Sequence, residues 1–511
     1  MRLARRARGL GRNVLASFAV LLAAGLPGVV PAAGAEPAAP EEIRPTDAHP
    51  GEGFTYLGLV RPRHAREIES SNWSVGAETM DRDYTIYANW RNYLGPLGAK
   101  KARIQSGWAK TEREKGKYDW AWLDAIIPDM ASQGVTPWVC LCYGNPIYEG
   151  GGGTGLGGGL PSSPEALEAW DAYVEAIVER YKQYVNQWEV WNEPRSGRGE
   201  GAVVYARFAA RTAQIIRRLQ PEAGLMFAAG GAFDAAFTEQ MLSWLRDQNQ
   251  LSLVNEIVYH PYRYNPDESY EAVERFRAMV RSFSEEITLR QNENGVPSRP
   301  GSFGAVSKYD WTEERQAKWA TRRLLGDLGR DIPSSYFAIC DMAYRVRAGT
   351  RGDSDWRDDE SDLDVLINSK GLLHIYPDRT IRHAKEAYRA VQHITALFDD
   401  TVKRIVDFDA KLSGGADDAT YSMFGYRAAD GGCVVTLWRS SHRPGERPEL
   451  ENLVLTLPDV TFRDPVWIDL ISGRVFEIGD SLWKQEGGRC TFHRLPVYDS
   501  VVVLAERSLL P

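Results

Sequence analysis

Histidine and cysteine are scarce in this 511-residue chain, with eight of the first and five of the second. No grouping of His with Asp or Glu at metal-ligand spacing is visible, so a barrel metal hydrolase is disfavoured and neither metal nor other cofactor is expected. The cysteine count is odd. Cys140 and Cys142 alternate with apolar residues and Cys340 ends another apolar run, a pattern of buried thiols rather than ligands. Cys433 and Cys490 lie in the C-terminal region, where pairing after export is open to them. Blocks of like charge are missing too. The formal charge is −8 and evenly spread, whereas a nucleic-acid partner would require a basic patch. There is no internal repeat. No Gly-rich phosphate turn follows the first strand candidate, which counts against a doubly wound dinucleotide fold. After residue 35 no run is long and apolar enough to span a bilayer.

Hydrophobic residues, by contrast, make up 43% of the chain, enough for a full core. The 16 Trp and 23 Tyr are a generous supply, and such rings offer faces to pyranose sugars, although most of them must serve as core and surface aromatics. Residues 1–35 read as a signal peptide. Arg2, Arg5, Arg6, Arg8 and Arg12 precede an apolar run from Val14 to Val30, and Ala33-Gly-Ala35 fits a cleavage site. The expected location is therefore secreted or periplasmic, with an uncleaved anchor as the alternative. Residues 36–50, rich in Pro, Ala and Glu, read as a flexible leader.

Between residues 51 and 400 short apolar runs alternate with helical patterns. The strand candidates are Phe54–Leu59, Ala102–Gln105, Thr136–Cys142, Gln187–Trp191, Leu225–Ala229, Glu256–His260, Glu286–Arg290 and Tyr336–Cys340. Eight such runs with helices between them predict a (β/α)8 TIM barrel. Ser163 is placed to cap a helix opened by Pro164, with apolar residues from Leu167 to Tyr181 at three- and four-residue steps. Further helices are predicted over Tyr118–Met130 and Thr380–Phe398. Residues 401–511 change texture to short alternating strands separated by turns, which predicts a smaller antiparallel β-sandwich. The glycine-rich stretch Glu149–Gly159 falls in the loop after the third strand candidate, as a mobile rim of the barrel mouth or a floppy surface loop.

Barrel enzymes carry their chemistry at the C-terminal strand ends, and two carboxyl groups fall there. Glu193 follows the strand Gln187-Trp-Glu-Val-Trp191 within Trp-Asn-Glu-Pro, residues 191–194. Glu293 follows a strand-like run and precedes a Gly turn. The two are 100 residues apart, which at about 31 residues per strand–helix unit is three units. Glu189, Glu285, Glu286 and Asp341 are the competing carboxylates.

The Trp-Asn-Glu-Pro run resembles the fourth-strand motif of glycoside hydrolase clan A. Trp108–Glu112, Gly116-Lys-Tyr-Asp-Trp120, Asp124 and His260-Pro-Tyr262 are similar to family 39, which includes xylosidases and iduronidases. The likeness covers roughly residues 54–400. The nucleophile run Arg290-Gln-Asn-Glu-Asn-Gly295 departs from the commoner Thr-Glu ending. The resemblance implies that Glu193 is the acid/base, Glu293 the nucleophile of the seventh strand, and Asn192 a contact to the sugar 2-hydroxyl. It also implies that Arg103 holds the nucleophile and that His260 touches sugar or nucleophile. Trp108, Tyr143, Asn145 and Tyr262 are candidates for sugar platforms or hydroxyl contacts, or for packing alone. Glu78, Asp81 and Arg82, after the first strand candidate, either line a specificity subsite or form a surface charge cluster. Arg82, Arg263 and Lys110 would favour anionic sugars if they reach the mouth.

The resulting expectation is a retaining O-glycoside hydrolase acting on an oligo- or polysaccharide, with carboxyls about 5–5.5 Å apart and Glu193 raised in pKa. The alternative is a carbohydrate-binding protein on a degenerate barrel, which needs no paired carboxylates.

Overall fold

The computed structural model describes residues 48–195, 201–347 and 363–510. The expected signal peptide and the leader up to residue 47 lie outside them. Ala48, at the leader's end, is buried against the sandwich core. No helix among the described residues is long and apolar enough to cross a membrane.

Eight parallel strands close into a barrel. In order they are Trp73–Gly76, Lys101–Gln105, Thr136–Leu141, Gln187–Val190, Gly224–Ala228, Glu256–Tyr259, Thr288–Asn294 and Ser334–Tyr336. Strand one closes the ring on strand eight, with Trp73 opposite Ser334 and Val75 opposite Tyr336. The register between strands seven and eight shifts between Gln291 and Asn294.

The expectation fails at the first strand. Phe54–Leu59 is not in the barrel; it pairs antiparallel with Arg474–Ile478 at the edge of the sandwich. A barrel strand is buried on both faces. Phe54–Leu59 is half exposed, whereas Trp73–Gly76 is buried throughout. The polar Ser74 hides that strand in the sequence; its hydroxyl is satisfied by the Ser334 carbonyl at 2.9 Å. The 51–400 boundary of the barrel therefore moves inward at its start.

Ser163 caps Pro164–Tyr181 as expected, its hydroxyl accepting from the Ala166 amide at 3.1 Å. The helix expected over Tyr118–Met130 is two short ones, Ala121–Asp124 and Ile127–Ser132, because Pro128 starts a helix better than it continues one. The start of Thr380–Phe398 is also extended. Ile381–Ala384 forms a hairpin with Leu373–Ile375, and the helix begins at Glu386.

The sandwich has a seven-stranded and a four-stranded antiparallel sheet. The larger sheet is buried on both faces. Val434, Trp438, Val466, Ile468, Val503 and Ala505 belong to the barrel-side core, while the intervening Val435, Leu437, Trp467, Val502 and Leu504 face the smaller sheet. A period of two along each strand produces both contacts. All five cysteines are buried free thiols, Cys433 and Cys490 included.

Candidate active site

Strands four and seven bring the two glutamates together at the barrel mouth. Glu193 leaves strand four through a tight backbone path, with Trp191 at φ +66° and Glu193 at φ +46°. Side chains other than glycine seldom adopt this region, and each such residue costs on the order of 1 kcal/mol or more. The path turns Glu193 into a cavity of about 620 Å³ that Glu293 also lines. Glu293 itself sits inside strand seven, one residue from its end.

His260 stands between them. Its Nδ1 is 2.9 Å from Glu193 Oε1 and 3.6 Å from Glu293 Oε2. One donor atom from each of the three residues lies within 4.8 Å of the others. Glu193 Oε2 also accepts from Arg195 Nη2 at 2.9 Å. Burial pushes the Glu193 carboxyl up, but His260 and then Arg195 outweigh it and hold the group down, at about 2. The raised pKa expected for Glu193 is thus absent from this arrangement: the contacts to His260 and Arg195 favour its ionised form. The imidazole moves the opposite way. Burial lowers it, yet Glu293 and Glu193 raise it above its ordinary value.

Glu293 Oε1 accepts from the Tyr262 hydroxyl at 2.8 Å, and Oε2 from Arg103 Nη1 at 3.0 Å. Arg103 does hold the carboxylate, but it is fully buried beneath the cavity and does not line it. It is a positioning residue rather than a part of the cavity wall. The same guanidinium donates to Glu78 Oε1 at 2.8 Å and to Asn192 Oδ1 at 2.8 Å. It also clamps both oxygens of Glu189, at 2.7 and 2.6 Å. Glu189 is therefore a buried structural partner, held below its usual range by Arg103 against the push of burial. Asn192 faces the cavity and donates to the Tyr143 hydroxyl at 2.8 Å.

Of the nine expected site residues, Glu193, Glu293, Asn192, His260, Tyr262 and Tyr143 line the cavity. Trp108 and Asn145 do not. The Trp108 indole is fully buried, stacked against Tyr148 and Tyr173, with Nε1 bonded to Glu112 at 2.6 Å. Asn145 donates to the Glu112 carbonyl at 2.8 Å and accepts from the Ile147 amide. Both organise the loops behind strands two and three. Among the competing carboxylates, Glu285 and Glu286 are exposed and precede strand seven, at the far end of the barrel. Asp341 is buried against Lys385 at 2.6 Å.

Glu78 and Arg82 do line the mouth, as does Arg263, whereas Lys110 turns to Asp83 at 2.6 Å. Glu78 is buried and raised to about 7, chiefly by burial, with Arg103 opposing and the Glu293 charge adding to the rise. Its Oε2 has no hydrogen-bond partner among the described residues. Sequence reasoning missed Phe337, Asn368 and Lys370, which enter the cavity from the segment after strand eight. Burial pushes the Lys370 ammonium down to about 7, with Glu293 opposing. Their position after a barrel strand was the available signal.

The glycine-rich loop is folded back on itself. Gly144 donates to Gly153, Asn145 to Gly151, and Gly153 to Gly158. From this loop Leu156 reaches the cavity wall.

No family model matches the sequence, and no curated protein does. Solved structures of similar fold include a family 39 glycoside hydrolase from the gut symbiont Bacteroides cellulosilyticus WH2, at 16% identity and TM-score 0.57, covering 85% of this chain and 81% of that one. A monomeric β-xylosidase from Caulobacter crescentus CB15 matches at 15% identity and TM-score 0.55, over 88% and 97% of the two chains. A family 30 subfamily 8 xylanase from Clostridium acetobutylicum matches at 13% and 0.51, over 87% and 97%. At these identities the likeness is one of fold, a (β/α)8 barrel with an appended β-sandwich.

Proposed function

We propose that this chain is a retaining glycoside hydrolase whose nucleophile is Glu293 and whose acid/base is Glu193. One observation carries the reading: two carboxylates from strands four and seven face one cavity with an oxygen of each within 4.8 Å of the other. Inverting enzymes keep their carboxyls about 6.5–9.5 Å apart to admit a water, while retaining enzymes keep them at about 5–5.5 Å. The fold shared with family 39 and family 30 enzymes agrees with this.

In the first step Glu293 attacks the anomeric carbon as the bond to the leaving oxygen breaks, and Glu193 gives that oxygen its proton. In the second, Glu193 takes a proton from water, which attacks the same carbon and frees Glu293. Arg103 and Tyr262 hold the nucleophile in place and aimed. Glu193 needs a proton for the first step. Entry of the glycan must therefore loosen its contact with Arg195, whose side chain is 42% exposed at the rim.

The test is kinetic. Glu293→Ala should lose turnover on activated aryl glycosides, and added azide should restore it with a product of inverted anomeric configuration. Wild-type turnover in that variant would remove Glu293 from the role. If the wild-type protein binds glycans but hydrolyses none, it is a carbohydrate-binding protein instead. Activity abolished by a chelator would favour a metal at Glu193, His260 and Glu293.

A further inference from the structure

We propose that Glu313, His374 and His383 form a binding site for a divalent transition-metal ion of the zinc class, separate from the candidate active site. Two of the chain's eight histidines meet here. His374 and His383 are directly opposed across the antiparallel hairpin of Leu373–Ile375 and Ile381–Ala384. Opposed residues put their side chains on the same face of a sheet, and the two imidazole centroids are 5.0 Å apart. The carboxylate comes from another element, as Glu313 is the first residue of the helix Glu313–Leu328. Its Oε1 lies 2.8 Å from His383 Nε2 and 3.7 Å from His374 Nδ1. One donor atom from each of the three falls within 4.8 Å of the others.

Two imidazoles and one carboxylate are a donor set suited to zinc, with water completing the coordination. Tetrahedral geometry with bonds of about 2.0–2.1 Å puts donor atoms roughly 3.3 Å apart. Closing the group to that spacing takes small rotations of the side chains, of which Glu313 is the most adjustable. His374 Nδ1 adds an independent sign. It is buried, and it has no hydrogen-bond partner among the described residues. A buried nitrogen left in that state is costly, and a metal ion would satisfy it. All three residues keep partial exposure, so an ion can enter from solvent. The nearby Lys385 charge is neutralised by Asp341 at 2.6 Å.

The site's position suggests its use. Asn368 and Lys370 line the candidate active site, and His374 follows Lys370 by four residues. The hairpin is also held to the segment after strand eight, through backbone bonds from Leu372 to Ala338 and from Leu373 to Ile339. A metal shared with Glu313 would tie it to the helix after strand seven, and so brace the segment that carries Asn368 and Lys370.

Zinc alone, titrated calorimetrically into the chelator-treated full chain, tests the proposal. One ion should bind at micromolar concentration or below and raise Tm. His383→Ala and His374→Ala should each weaken binding at least about tenfold and abolish the Tm rise. Glu313→Gln, which keeps a hydrogen-bond acceptor for His383, should weaken it without changing the circular dichroism of the metal-free protein. The same titration in Glu293→Ala excludes the second three-donor group, and there the binding should persist. Binding that vanishes in Glu293→Ala but survives in His374→Ala and His383→Ala overturns the proposal. So does the absence of any binding up to about 100 μM zinc. Because none of these readouts is turnover, failure here is distinct from failure of the glycosidase reading.

Discussion

Arg103 faces three carboxylates with a single charge. Glu78, Glu189 and Glu293 all bond to it, and water is excluded from the guanidinium. Arg103→Ala would leave Glu189 buried and ionised with no cation beside it, a loss of about 3–5 kcal/mol. Urea unfolding should register it, and an unchanged midpoint would deny Arg103 its place as the hub. The surplus negative charge is relieved by a proton on Glu78, which burial and Glu293 raise to about 7. An unfolded glutamate titrates near about 4.3. Between those values the folded chain keeps a proton that the unfolded chain has lost, so Glu78 makes stability fall as pH rises through that window. Glu78→Gln should flatten the Tm profile from about pH 4.3 to 7, and an equally steep profile in the variant would place the proton elsewhere. Arg195 acts on Glu193 in the opposite sense by favouring its ionised form. If Glu193 is the acid, its ionisation sets the basic limb of kcat/KM. Arg195→Ala should move that limb to higher pH, by up to about one unit. A limb that stays in place or moves down would contradict the assignment.

At the scale of elements, what the sequence displays depends on how many neighbours an element needs. Strand four is legible because its apolar run, its Trp pair and Pro194 are contiguous, and the three-unit spacing to strand seven follows from the repeat itself. Strand one is not, since Ser74 is paid back only by a carbonyl 260 residues away. The strand Ile381–Ala384, which carries His383, reads as the start of the helix Thr380–Phe398 because its pairing with Leu373–Ile375 leaves no mark in the local pattern. Trp108 and Asn145 sit in motif-like surroundings, yet contacts from Tyr173 and Glu112 turn them inward. In the glycine-rich loop, composition does not show that the backbone folds back on itself. Its glycines permit backbone to pass against backbone: Gly152 has φ +78°, and a Cβ there would collide with the Gly159 carbonyl. Gly152→Ala should therefore cost about 1–3 kcal/mol. It should also raise KM more than it lowers kcat, because Leu156 is displaced from the wall rather than either glutamate. An unaltered Tm and KM would mean that the loop tolerates the change by opening.

For the molecule as a whole, the question is whether barrel and sandwich are separable. The sequence marks their junction near residue 400 by a change in texture, but it does not reveal that Phe54–Leu59 is an edge strand of the sandwich. The chain thus enters the sandwich before it begins the barrel and returns to it afterwards. The joint is also chemical. Buried Lys318, on the helix after strand seven, pairs with Asp499 at 2.9 Å, and Arg322 on the same helix donates to the carbonyls of Ser440 and His442. Around these charges the barrel-facing half of the seven-stranded sheet belongs to the same apolar core as the barrel. Removing residues 401–511 would strip buried Lys318 of its carboxylate and Arg322 of its carbonyl acceptors, and bare a continuous apolar face, which favours aggregation over an independent fold. The full chain should accordingly unfold in one calorimetric transition whose van't Hoff and calorimetric enthalpies agree. Two resolved transitions, or a soluble and cooperatively folded 61–400 fragment, would show that the sandwich is an accessory rather than a wall of the barrel.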